Sequence, residues 1–255
     1  MSADAVETVE ETAVMNVLLL GGTGRTGGRV LQQLLGRGVR VRAVVRSAER
    51  LPAGAAEHPN LTVVVADLPS LSDEGLRRQV DGCDVVISCL GHVISIKGIF
   101  GPPRDLVCRS LERVYRATRE LRPAQPVKLI LMSSVSVNRP GGLDTRRGRF
   151  ERAVLWLQRG LVPPGRDNQR AADFLHEVIE AADPYAQWVV VRPDTLKEGD
   201  VTEYALHEGL VDSLFHPGET NMANVAHFMC ELATDPEVWA TWRGRLPVIV
   251  NATRA

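Results

Sequence analysis

The chain has 255 residues, with 30 basic against 31 acidic side chains, a formal net charge of −1, 44% hydrophobic residues and only 5% aromatics. That length fits one large globular domain or two small ones. The near-zero charge removes the long-range attraction of a nucleic-acid or anionic-membrane binder, so neither partner is expected and any positive site has to be local.

Residues 1–13 carry Asp4, Glu7, Glu10 and Glu11 with few large apolar side chains, which suits a disordered acidic extension preceding a single domain over 14–255. No Lys or Arg precedes Arg25, so the basic start of a signal peptide is missing, and no apolar run reaches the roughly 18 to 20 residues that cross a bilayer. A cytoplasmic location is expected. Residues 14–20 (VMNVLLL) form a short, continuous apolar run, right for a strand buried on both faces. After a glycine turn, residues 29–37 place Val30, Leu31, Leu34 and Leu35 on one helical stripe. The pattern then predicts strands over 40–45 and 61–66, a helix over 71–80, a strand over 84–89 and a helix over 104–121. A strand over 127–133, a helix over 170–182 and a strand over 187–191 follow, then a helix over 225–234 and a last strand over 246–250. Strands alternating with helices of this length call for a doubly wound parallel sheet, an α/β Rossmann fold with a small C-terminal substrate-binding region.

Two segments break the alternation, 139–166 and 194–223, and both are assigned to the substrate pocket. The first has seven arginines against two acids around an amphipathic stretch, Phe150 to Gly160. It is either a solvated insertion or a lid over an anionic ligand. Cys83, Cys89, Cys108 and Cys230 lack CxxC spacing, which favours reduced, buried thiols over a disulfide framework or a metal site.

The most informative residues are GGTGRTGG, Gly21 to Gly28, between the first strand and the first helix. In Gly21-x-x-Gly24-x-x-Gly27, the first glycine turns the chain sharply, the second clears the approach to a pyrophosphate, and the third permits close helix packing. The helix amides then hold the phosphates, with Thr23 and Thr26 adding hydroxyls. The second strand ends in Arg46-Ser47, where an NAD site normally has an acid for the ribose hydroxyls. Arg46, Ser47 and Arg25 together predict NADP. Asp67 and Leu68 offer a carboxylate and an apolar face to adenine, and Leu90-Gly91 leaves room for the cofactor to cross the sheet. Only Lys97, Lys128 and Lys197 are lysines, so 27 of the 30 basic residues are arginine, and position alone singles out Arg25 and Arg46.

With these residues placed, the chain resembles the atypical short-chain dehydrogenase/reductase superfamily, in its NmrA-like and flavin/biliverdin reductase-like branch. The resemblance runs from Met15 to Asn251 through GGTGRTGG, VVRS, VVADL, ISCLG, LILMSSVSV and VVVRPDTL. It implies that Ser134 faces the nicotinamide as the catalytic residue, with Ser133 beside it, and that Pro193 borders the nicotinamide end. Both serines could also be plain strand-end caps. The wider superfamily uses a Tyr-x-x-x-Lys pair as proton relay. Four residues beyond Tyr115, Tyr185 and Tyr204 stand Arg119, Val189 and Glu208, so the pair is missing, and the resemblance aligns Gly165 and Gln169 with its two positions.

The expected activity is therefore an NADPH-dependent reductase acting on a small conjugated or carbonyl substrate without that relay. His92, Lys197 and Tyr204 are substrate-binding candidates, with Glu198 and His207 in the same stretch. The alternatives are an NmrA-like redox sensor or scaffold that binds NADP(H) without turnover, and a non-redox rearrangement or cyclisation enzyme on the same scaffold. Besides substrate, the partner left open is a second copy of the chain in a homodimer.

Overall fold

The computed structural model describes residues 14–91, 104–139, 144, 148, 151, 163–213 and 217–252. The acidic extension, the stretch Phe150 to Gly160 apart from Glu151, and His92 lie outside them. In chain order the described elements are β1 (Asn16–Leu20), α1 (Arg25–Gly36), β2 (Arg40–Val45), β3 (Leu61–Val65), α2 (Asp73–Val80), β4 (Val85–Ser88), α3 (Leu106–Leu121), β5 (Val127–Met132), α4 (Pro163–Val178), β6 (Ala186–Pro193), β7 (Thr195–Lys197), β8 (Tyr204–His207), β9 (Glu219–Asn221), α5 (Met222–Thr234), α6 (Pro236–Trp242) and β10 (Val248–Asn251).

Eight strands form one sheet in the order β3-β2-β1-β4-β5-β6-β10-β8, the doubly wound arrangement extended at one edge. All neighbours are parallel except β8, which runs antiparallel to β10 with Ile249 opposite Leu206. Alternating residues separate two cores. Leu18, Leu129, Leu131 and Val190 face α2, α3 and α4, whereas Leu19, Ile130, Val189 and Val191 face α1, α5 and α6. Burial on both faces is why these strands read as unbroken apolar runs.

Four boundaries differ from expectation. Helix α1 begins at Arg25, not at the start of the apolar stripe, because Gly27 and Gly28 are themselves helical and buried. Helix α4 begins at Pro163, whose missing N–H is not needed in a first turn. Residues 194–223 hold three short strands that the sequence did not announce: β7 pairs with β9 in a small parallel sheet, and β8 completes the main one. Helix α6 was not anticipated, although Asp235 caps it through the Glu237 and Val238 amides at 2.8 and 3.1 Å and Pro236 opens it.

The C-terminal half is tied together by Arg192 of β6, fully buried, whose Nη1 donates to Asp144 Oδ2 at 2.8 Å and to the Val137 carbonyl at 3.1 Å. Its Nε reaches the Leu246 carbonyl before β10, and Nη2 the Glu208 carbonyl after β8. A charge at this depth is tolerated only when paired. Asp144→Ala is accordingly expected to lower the unfolding free energy in a urea titration by about 3 kcal/mol. Arg77→Ala, which opens an exposed pair with Glu74, is expected to leave the midpoint of the same titration nearly unchanged.

Candidate functional site

The carboxyl ends of β1 to β4 open into one cavity of about 440 Å³, on the side of the sheet where the strand order reverses. Its floor is the glycine loop. Gly21 takes φ +84°, and a Cβ there would stand 2.6 Å from the Cys89 carbonyl oxygen. A Cβ on Gly27 would come within 2.1 Å of the Gly21 oxygen, so only glycine lets α1 start this close to β1. Gly24 is the N-cap; no side chain caps the helix and no acid lies in its first turn. The first amides of α1 and the positive end of its dipole are thus open to an anion. Thr23 and the buried Thr26 line the same space.

Arg46, at the end of β2, lines the wall together with Arg50, a residue the sequence reading missed. The nearby acid Glu49 and the expected Ser47 do not reach the lining. Across the cavity stand Asp67 and Leu68. The Asp67 carboxylate accepts the Ser70 hydroxyl at 2.8 Å, and Arg113 of α3 braces this turn through the carbonyls of Leu68 and Leu71. Leu90 and Gly91 follow β4, beside Leu106 of α3. Asp167 of α4 holds the Val107 and Cys108 amides at 2.8 and 3.0 Å and so fixes the start of α3. Met132 of β5, Leu196 of β7 and Met222 of α5 complete the far wall. No local signal could have found these three, because three separate elements bring them together.

Arg25 also lines the cavity, but its Nε and Nη2 donate to Glu198 Oε1 at 3.2 and 2.8 Å, and Arg29 holds the other carboxylate oxygen. These hydrogen bonds, from Arg25 above all, hold the Glu198 carboxyl below the usual range. The structure therefore does not bring Arg25 and Arg46 together as a free pair.

The remaining predicted residues lie off the described lining. The Ser134 hydroxyl shares a 2.6 Å hydrogen bond with Ser136, two residues beyond the Met132 wall. The Ser133 hydroxyl is buried without a hydrogen-bond partner among the described residues, and the Pro193 carbonyl accepts the Val135 amide. Lys197 is exposed and paired with Glu219 at 3.0 Å. Tyr204 lies off this lining as well: its hydroxyl meets His227 Nδ1 at 2.9 Å against α5, where burial pushes the phenol up to about 12. Tyr115 is bound to Asp183, and Tyr185 faces a wide groove between α3 and α4, so none of the three phenols reaches the cavity. Gln169 is engaged with the main chain of Asn138 in both directions, at 2.9 and 3.2 Å, and with Asp173. The residue aligned with the relay lysine is a brace for the loop after β5.

All four cysteines are buried, and burial raises every thiol, Cys83 to about 11 and Cys230 to about 12. Among the described residues no helix is long and apolar enough to cross a membrane.

A family model described as NAD(P)H-binding matches residues 21–236. The chain is 27% identical to the protein TIC 62, chloroplastic, of Arabidopsis thaliana over 87% of its own length, and spans 34% of that relative. Among solved structures, an anaerobilin reductase from Escherichia coli superposes with a TM-score of 0.66 at 17% identity, covering 94% of this chain and all of the other. A short-chain dehydrogenase/reductase from Veillonella parvula in complex with NADP gives 0.66 at 13% identity, covering 93% and 94%.

The loop geometry yields its own test. Gly27→Ala has to displace a backbone carbonyl and is expected to destabilise the fold by about 2 kcal/mol in a urea melt. Gly24→Ala, whose Cβ would meet only the Gly21 oxygen at 3.3 Å, is expected to cost under about 1 kcal/mol.

Proposed function

Since the chain belongs to the NAD(P)H-binding family, we propose that it is an NADPH-dependent reductase passing hydride to a small conjugated or carbonyl acceptor without a tyrosine-lysine relay. The carrying observation is the wall after β2, where Arg46 and Arg50 line the cavity and no carboxylate from that strand end does. A ribose diol calls for a carboxylate there, a 2′-phosphate for guanidiniums.

In this reading the amides after Gly24 hold the diphosphate, with Thr23 and Thr26 beside them. Arg46 and Arg50 take the 2′-phosphate, which Arg25 approaches from the glycine loop, and Asp67 and Leu68 border adenine. Leu90 and Gly91 let the cofactor cross toward Met132, behind which stand Ser133, Ser134 and Pro193. Bound NADPH supplies the hydride. Ser134, already hydrogen-bonded to Ser136, holds the acceptor by a hydrogen bond while solvent provides the proton. The reductase with the same fold supports this chemistry.

The rival reading, a redox sensor or scaffold that binds NADP(H) without turnover, is favoured by the commitment of Gln169 to the Asn138 main chain and by the absence of any tyrosine from the described lining.

Calorimetric titration is expected to give tighter binding for NADPH than for NADH, with Arg46→Ala weakening NADPH about 10-fold or more and NADH little. Equal affinities for the two in the wild type would sink the NADP assignment. With flavin, quinone and enone acceptors, loss of nicotinamide absorbance is expected for at least one, and Ser134→Ala is expected to slow it about 10²-fold at unchanged NADPH affinity. Tight binding with no turnover across the panel would establish the sensor instead.

A further inference from the structure

Glu198 belongs to the loop that leaves β7, a segment the sequence assigns to substrate. Its carboxylate instead crosses to the first turns of α1, where one oxygen takes the Nε and Nη2 edge of Arg25 and the other takes Arg29. The loop is not placed there by chance. Asn221 donates to the Asp200 carbonyl at 3.1 Å, the Thr202 amide donates to Asn224 Oδ1 at 2.8 Å, and Asn224 and Asn251 join at 2.8 Å. This amide cluster, with Asn224 fully buried, roots the loop on β9, α5 and β10.

Arg25 lines the main cavity, and a neighbouring cavity of about 340 Å³ that it shares with Arg29 and Arg50. Arg50 lines both, and neither it nor Arg46 forms an ion pair with a described residue. Of the four arginines that line these two cavities, Arg25 and Arg29 are thus paired with a described acid, and that acid is Glu198.

We propose that Glu198 is an internal competitor for the 2′-phosphate of the dinucleotide, holding the guanidinium edge of Arg25 that the phosphate would take and so setting the preference between NADPH and NADH. This rests on the dinucleotide reading above. A phosphate monoester carries more charge than a carboxylate and can meet the Nε–Nη2 edge with two oxygens, where Glu198 offers it one. It displaces Glu198 because the existing pair is solvent-exposed on both sides, 66% and 60%. A ribose hydroxyl carries no charge and leaves Glu198 in place.

The test is calorimetric titration of wild type, Glu198→Gln, Arg25→Ala and the double variant with NADPH and NADH. Glu198→Gln is expected to bind NADPH about 5-fold more tightly and NADH within 2-fold of wild type. In the Arg25→Ala background the gain is expected to fall below 2-fold. Unchanged or weaker NADPH binding by Glu198→Gln, an equal gain for NADH, or a gain that survives Arg25→Ala each overturns the proposal while leaving the dinucleotide reading intact. Failure of the wild type to bind either dinucleotide overturns both.

Discussion

A side chain on Gly27 would sit 2.1 Å from the Gly21 carbonyl oxygen, and this contact fixes how near the first turn of α1 lies to the ends of β1 and β4. The approach has two consequences. Val30, Leu31 and Leu34 are pressed into the core shared with α5, and the uncapped amides behind Gly24 are left facing the cavity. A bulkier residue would push the helix out and lose packing and anion site together. The position of α1 then sets where Arg25 and Arg29 stand, and hence what Glu198 can reach.

The other half of the molecule has a different anchor. Arg192 gathers β6, the loop after β5, the residues before β10 and the end of β8 through five hydrogen bonds. Gln169 adds a second tie to the same loop from α4. The segment carrying Ser134 is therefore held from two sides, one ionic and one amide.

Charge is arranged locally against a near-neutral total. Arg25, Arg29, Arg46 and Arg50 surround the glycine loop, and one carboxylate partly offsets them. Exposed pairs of this kind are worth little in stability, which makes them exchangeable, whereas the buried Arg192–Asp144 pair is not. The same residue type thus serves as a movable contact at the cavity and as a fixed one in the core.

The alternation of apolar runs and helical stripes already dictated the doubly wound sheet, since strands buried on both faces leave an unambiguous pattern, and the glycine spacing marked the floor of the cavity. Arg46, Asp67, Leu68, Leu90 and Gly91 were legible because they follow strand ends directly. Asp235-Pro236 also signalled a helix start that the reading passed over. Contacts between elements distant in the chain were not legible. Met132, Leu196 and Met222 meet only because β5, β7 and α5 converge; Tyr204 meets His227 because β8 pairs with β10; and Arg25 meets Glu198 across 173 residues. Local sequence determines which elements form and what chemistry sits at their ends. Which side chains pair is decided by the packing of the sheet and its helices, because a single charged group takes the partner that the finished fold brings within reach.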